Sequence, residues 1–199
     1  MIRRMAVVGS VSAVLLLVAS SAPALAQATG EPKLPLNLTS FAVNMDARTR
    51  AASTGRVNIT IERWSTDGER DRLLQALADK GSDKLLSTLQ KIRPRVGYVR
   101  SDNTLAWDIY YARLTPGEDG GYRLIFATDR PIDFWESRNN TRTSEYEFML
   151  CEIHMNRRGE GEGKLALMAK ITWNKKTNTL EIENYDIEPV RLNKVTEVR

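Results

Sequence analysis

The chain carries one cysteine and one histidine, and they lie close together as Cys151 and His154. Glu152 precedes the histidine by two residues, the spacing at which a β-strand turns two side chains to the same face. A carboxylate beside an imidazole can orient the ring and raise its pKa, as a general-base dyad requires. The same pair also occurs as an ordinary solvated contact at a strand end, and Arg157, Arg158 and Glu160 follow at once. No Gly-x-Ser-x-Gly elbow supplies a nucleophile. The catalytic candidates are therefore Glu152 and His154, or a carboxylate pair drawn from the 25 acidic residues, whose separation in space would decide their chemistry. Cys151 lies between Phe148-Met149-Leu150 and Ile153 and reads as a small buried hydrophobe. A single cysteine and a single histidine exclude an intrachain disulfide framework, multi-cysteine metal centres and two-histidine zinc motifs. The expectation is no metal and no cofactor.

Binding chemistry concentrates in the sixteen residues Asp129 to Ser144, which are long for a hairpin connection. Phe134 and Trp135 stand there beside Arg130, Arg138 and Arg142, a set able to stack on a ring or hold an anion. The plainer alternative is that the aromatics plug an open end of the sheet while the arginines stay solvated. Asp119-Gly120 and Glu160-Gly161-Glu162-Gly163 lack the ligand spacing of a calcium loop and read as hairpin turns.

The elements that must position these residues follow from periodicity. Leu36 to Val43 predicts one strand within an otherwise loop-like segment, and Val57, Ile59 and Ile61 alternate as a half-buried strand does. Thr66 with Glu69 three residues on is a capping-box spacing, opening a helix with Leu73, Leu74 and Leu77 on one face. Gly81 suits a left-handed C-cap, and a second helix carries Leu85, Leu86, Leu89 and Ile92 until Pro94 ends it. Beyond Arg95 the pattern is of strands: 96–100, 105–111 with Leu105, Trp107, Ile109 and Tyr111 on one face, 122–128, and 146–156. Then come Leu165 to Trp173 on one face, a return through Leu180 and Ile182, and a tail from Pro189 that predicts an edge strand. The fold class is α+β: an antiparallel meander, as a curved sheet or partly open barrel, with a helical hairpin inserted after an early strand. A helix-grip fold opens in the same order, but the β-branched tail after Pro189 does not suit the long C-terminal helix of that fold.

The N-terminus reads as an export signal. Arg3 and Arg4 precede the apolar run Met5 to Val18, and Ala24-Leu25-Ala26 supplies the small residues that a signal peptidase requires. Cleavage after Ala26 removes 26 of 199 residues and leaves 173. It also removes two arginines and no acid, so the formal charge drops from +4 to +2. That balance gives no sign of nucleic-acid binding, and no later run is long and apolar enough to span a bilayer. The domain reading is a signal peptide over 1–26, a tether or loop with one strand over 27–54, and a single α+β domain over 55–199.

Gly55-Arg56-Val57-Asn58-Ile59-Thr60-Ile61-Glu62-Arg63-Trp64-Ser65-Thr66, the stretch from Gly163-Lys164-Leu165 to Glu183-Asn184-Tyr185, and Pro189-Val190-Arg191-Leu192 resemble a group of uncharacterised exported bacterial proteins. The resemblance covers most of the mature chain and implies a bacterial, periplasmic or extracellular setting. It implies nothing about mechanism. The leading expectation is a non-enzymatic exported β-rich domain that binds a small apolar or amphipathic ligand, or an envelope protein. The alternative is a secreted hydrolase using Glu152 and His154 or a carboxylate pair, and an exposed His154 on a convex face argues against its histidine form. A third, purely interaction-based reading expects an exposed apolar patch or a free sheet edge at the C-terminal strand.

Overall fold

The computed structural model describes residues 31–44, 53–101, 105–117, 120–129, 148–174, 179–184 and 189–198, so the leader over 1–26 lies outside the described residues. Strand β1 (Leu36–Asn44) buries alternate side chains, with Leu36, Leu38 and Ala42 turned inward and Asn37, Thr39 and Phe41 outward. It pairs antiparallel with β2 (Ser53–Ile61), whose Val57, Ile59 and Ile61 enter the same core. The hairpin of helices follows as α1 (Asp67–Lys80) and α2 (Ser82–Leu89). The capping box is formed: Thr66 Oγ1 accepts from the Glu69 amide at 3.2 Å, and the Glu69 carboxylate accepts from the Thr66 amide at 2.9 Å. Gly81 joins the helices at φ +75° and ψ −157°, an extended positive-φ geometry open to glycine rather than the αL cap expected from the pattern.

The remaining strands are β3 (Gly97–Ser101), β4 (Trp107–Pro116), β5 (Tyr122–Thr128), β6 (Phe148–Met155), β7 (Glu160–Asn174), β8 (Thr179–Asn184) and β9 (Val190–Glu197). Neighbours up to β7 pair antiparallel in sequence order, and β9 lies between β7 and β1. The strands β1-β2-β3-β4-β5-β6-β7-β9 therefore return on themselves as an eight-stranded barrel, more closed than the curved sheet or partly open barrel that the pattern led one to expect. The tail strand expected at an edge is internal and completes the ring. The strand with a single neighbour among the described residues is β8, which pairs with the far half of β7 in a ribbon beyond the barrel. Among the described residues no helix is long and apolar enough to cross a membrane.

Two cores result. Side chains including Leu38, Ile59, Ile109, Phe126, Cys151, Leu165 and Leu192 fill the bore. On the outer wall Leu73, Leu77, Leu85, Leu89 and Ile92 of the hairpin segment pack with Tyr110, Phe148 and Ile171. Bulges divide the strands between these cores. An extra residue of β4 between Ile109 and Tyr111 leaves Ile109 and Ala112 in the bore and puts both tyrosines outside, so the single face expected from Leu105 to Tyr111 is broken. A second bulge, between Ala166 and Ala169 opposite β6, separates Leu165 in the bore from Ile171 under the helices, where one continuous face was expected.

Glu160-Gly161-Glu162-Gly163, read as a turn, is the first part of β7. The turn lies just before it: Asn156 Oδ1 accepts from the amides of Arg158 at 2.8 Å and Glu160 at 3.1 Å, and Gly159 takes φ +76°. Gly161 belongs in the strand because a Cβ there would lie 2.1 Å from the His154 carbonyl oxygen. Close approach of β6 to β7, not turning, is what demands that glycine.

Candidate functional site

Glu152 and His154 fall on β6 two residues apart and share its outer face, as their spacing predicted. His154 Nε2 meets Glu152 Oε1 at 2.7 Å, and the same carboxylate oxygen accepts from Arg123 Nε on β5. Arg123 arrives through register, since it is paired directly with His154 across the two strands. Sequence reasoning did not select Arg123: it lies 29 residues from Glu152, and only strand pairing brings the two together. Partial burial pushes the Glu152 carboxyl up, but the hydrogen bonds and charges of Arg123 and His154 outweigh this and hold it below the usual carboxylate range. Glu152 is thus an ionised acceptor of two donors.

The surroundings are a solvated wall. The His154 side chain is 62% exposed and those of Arg123 and Glu152 are 43% and 39% exposed. Across the β6–β7 ladder His154 faces Glu162 and Glu152 faces Lys164. The group has the composition of a dyad, and its side chains stand in solvent rather than in a water-excluded cleft. Cys151, on the opposite face of the same strand, is buried, and that burial drives its thiol well above the ordinary cysteine range. It is core and not a nucleophile.

The two ends of the bore differ in chemistry. At the end where β2 leaves and β3 enters, Trp64, Leu114, Tyr122 and Met155 pack on the core. The Tyr122 ring is half-buried with its hydroxyl turned inward, without a hydrogen-bond partner among the described residues, and burial with the nearby Glu197 pushes it up to about 12. At the opposite end the inward positions include the polar Asn44, Ser101 and Thr128, each engaged with a partner, beside the apolar Trp107, Met149 and Val190. Thr128 is fully buried and Asn44 is nearly so. This end is the mouth from which the connections 45–52, 102–104, 130–147 and 185–188 depart. The sequence-predicted binding residues Arg130, Phe134, Trp135, Arg138 and Arg142 belong to one of those connections and lie outside the described residues. The polar mouth itself was not found by sequence reasoning, because an isolated Asn, Ser or Thr at a strand end is indistinguishable from a turn residue until the ring closes.

Buried charge is used for anchoring elsewhere. Arg63 Nη1 and Nη2 bind the Glu69 carboxylate at 3.0 and 2.9 Å, and Nη2 also donates to the Pro94 carbonyl at 2.7 Å. The start of α1 is thereby tied to the exit of the hairpin. The guanidinium bonds, against the cost of burial, hold the Glu69 carboxyl below its ordinary range.

No protein-family model, curated protein or solved structure matches the chain.

Proposed function

We propose that this is an exported, non-catalytic binding domain whose barrel mouth takes a small amphipathic ligand or a segment of an envelope partner. The observation that carries this reading is the polarity of the bore: Trp64, Leu114, Tyr122 and Met155 pack at one end, while Asn44, Ser101 and Thr128 gather beside Trp107, Met149 and Val190 at the other. Each of these three groups has a partner and so costs the fold little, and their gathering at one end gives that end the polar contacts a ligand head group would use. Eight strands enclose a bore just wide enough for side chains or one small ligand. Here side chains occupy the middle, which leaves the mouth as the place for a guest. The outer wall, with Arg56, Arg100, Arg123, Glu152 and Lys164, has the opposite polarity to a lipid-facing barrel, which supports a barrel that works in water.

Export rests on the basic, apolar and small-residue regions of residues 1–26, and the bacterial setting rests on the resemblance described above. The Glu152–His154 contact supports the hydrolase alternative less well, since its carboxylate is committed to Arg123 and its imidazole stands in solvent.

Titration with dodecanoate, a probe with an apolar chain and an ionised head, tests the mouth. Saturable quenching of tryptophan emission is expected, with Trp107 as a reporter, and Asn44→Leu should weaken the binding about tenfold, a loss of one polar partner. Absence of saturable binding by calorimetry, or an affinity unchanged in Asn44→Leu, would overturn the small-ligand reading.

A further inference from the structure

We infer that the outer wall formed by β9, β1, β2 and β3 is a second binding surface, for a carboxylate-bearing polysaccharide. Its residues are set by the pairing registers. Asn37, Thr60 and Tyr98 form one row across β1, β2 and β3, and Thr39, Asn58 and Arg100 form the next. Asn193, Phe41 and Arg56 form the third across β9, β1 and β2, with Arg191 one step further along. Three properties of this wall point to the same kind of partner.

The first is an exposed ring. Phe41 is 51% exposed, although it stands mid-strand where an outward polar residue would serve folding equally well. The Arg56 guanidinium lies 5.9 Å from its centroid, which leaves much of the ring open. The second is uncompensated charge. Arg56, Arg100 and Arg191 are exposed, and among the described residues none of the three forms an ion pair. Several arginines elsewhere are matched, Arg95 to Glu62 and Asp108, Arg113 to Asp67 and Arg123 to Glu152, while Arg72, Arg93, Arg157 and Arg158 are dispersed without an ion pair among the described residues. The third is the filling around ring and charges, where Asn37, Thr39, Asn58, Thr60, Asn193 and Thr196 supply amides and hydroxyls and Val43 stands opposite Arg191. Thr60 already donates to Asn37 Oδ1 at 3.0 Å, so the amide is held for recognition by its remaining groups.

A flat sheet face with these groups suits a sugar chain. The C–H face of a pyranose packs on an aromatic ring, its hydroxyls exchange hydrogen bonds with amides and threonines, and a uronate carboxylate fits the guanidinium fork. An anionic bilayer would use the charge but has no need of the amides, and one phenylalanine gives it little to insert. Single-stranded nucleic acid would use both charge and ring, but its successive bases call for several open rings, and the other aromatic of this wall, Tyr98, is covered by Arg95 at 5.0 Å. The wall is distinct from the mouth, so either proposal can fail alone.

Affinity electrophoresis of the purified protein through polygalacturonate tests the wall. Retardation is expected, weakening in about 0.5 M salt as screened charge requires. Phe41→Ala should reduce affinity about fivefold and the Arg56→Gln/Arg100→Gln double variant about tenfold or more, with melting temperatures close to wild type because all three side chains are exposed. Arg123→Gln, on the far wall, should bind as wild type does. Failure to be retarded, equal retardation by neutral dextran, or binding unaffected by the wall variants would overturn the proposal. So would tighter binding to phosphatidylglycerol vesicles or to single-stranded oligodeoxythymidine, which would reassign the wall to that partner.

Discussion

Glu69 shows how much of this fold is held by single ionised groups at element boundaries. Its carboxylate closes the capping box of α1 and receives two bonds from Arg63, which in turn holds the Pro94 carbonyl. Glu69 is buried, so the interaction escapes most of the screening that makes surface pairs such as Arg123–Glu152 nearly neutral for stability. Glu69→Ala is expected to cost about 2 kcal/mol at pH 7, combining a lost cap with a guanidinium deprived of its partner. Because the folded-state pKa is depressed, this stabilisation is fully present above the ordinary carboxylate value and is lost as pH falls through the lowered one. Urea unfolding of wild type and variant should therefore differ at pH 7 and converge only in acid, once pH falls below the lowered carboxyl pKa. The Thr66–Glu69 half of this arrangement was legible from a spacing of three residues. Arg63 and Pro94 were not, since their contact spans 31 positions and depends on the hairpin folding back.

At the scale of elements, strand ends are completed by residues that belong to no strand. The β3–β4 ladder ends at Gly97 opposite Ile109, and β4 continues well past it. Ser65, in the connection before α1, takes the vacant place: its amide donates to the Ala112 carbonyl at 2.9 Å, and its Oγ accepts from the Ala112 amide at 3.0 Å. One serine thus supplies both halves of a ladder rung and fixes where the helical hairpin leaves the barrel. Ser65→Ala would strand a buried amide, and a loss of about 1–3 kcal/mol is expected from denaturant unfolding with an unchanged m-value. Gly97 matters to the same junction, because a Cβ there would lie 2.1 Å from the Thr60 carbonyl oxygen. Bulges are the other device of this scale. Each inserts one residue and exchanges the faces of everything beyond it, which is why alternation located strands within β4 and β7 but neither their full extent nor their faces.

The whole molecule depends on β9. It pairs along β1 on one side and β7 on the other, and a bulge at Lys194, where φ is +50°, lets it follow both. Truncation after Pro189 would leave β1 and β7 with open edges and remove Val190, Leu192 and Val195 from the bore. The expected result is loss of the cooperative thermal transition in circular dichroism, with aggregation through the exposed edges. A truncated chain that still melts cooperatively would show that the barrel tolerates an open seam.

What the sequence determined by itself is local. Alternation in β1 and β2, the capping box, the two short helices, the burial of Cys151 and the shared face of Glu152 and His154 all follow from neighbours within a few positions of one another. Their causes are side-chain period, backbone caps and hydropathy, and these act before any long-range contact forms. Tertiary structure alone decided that the meander closes, that the C-terminal strand is its seam, and that Arg123 joins Glu152. It also decided that Asn44, Ser101 and Thr128 gather at one end of the bore and that Phe41 shares a wall with Arg56, Arg100 and Arg191, which form no ion pair among the described residues. Each of these depends on which strands become neighbours and in what register. That choice is made by the combined packing of a filled bore, and no short stretch of residues encodes it.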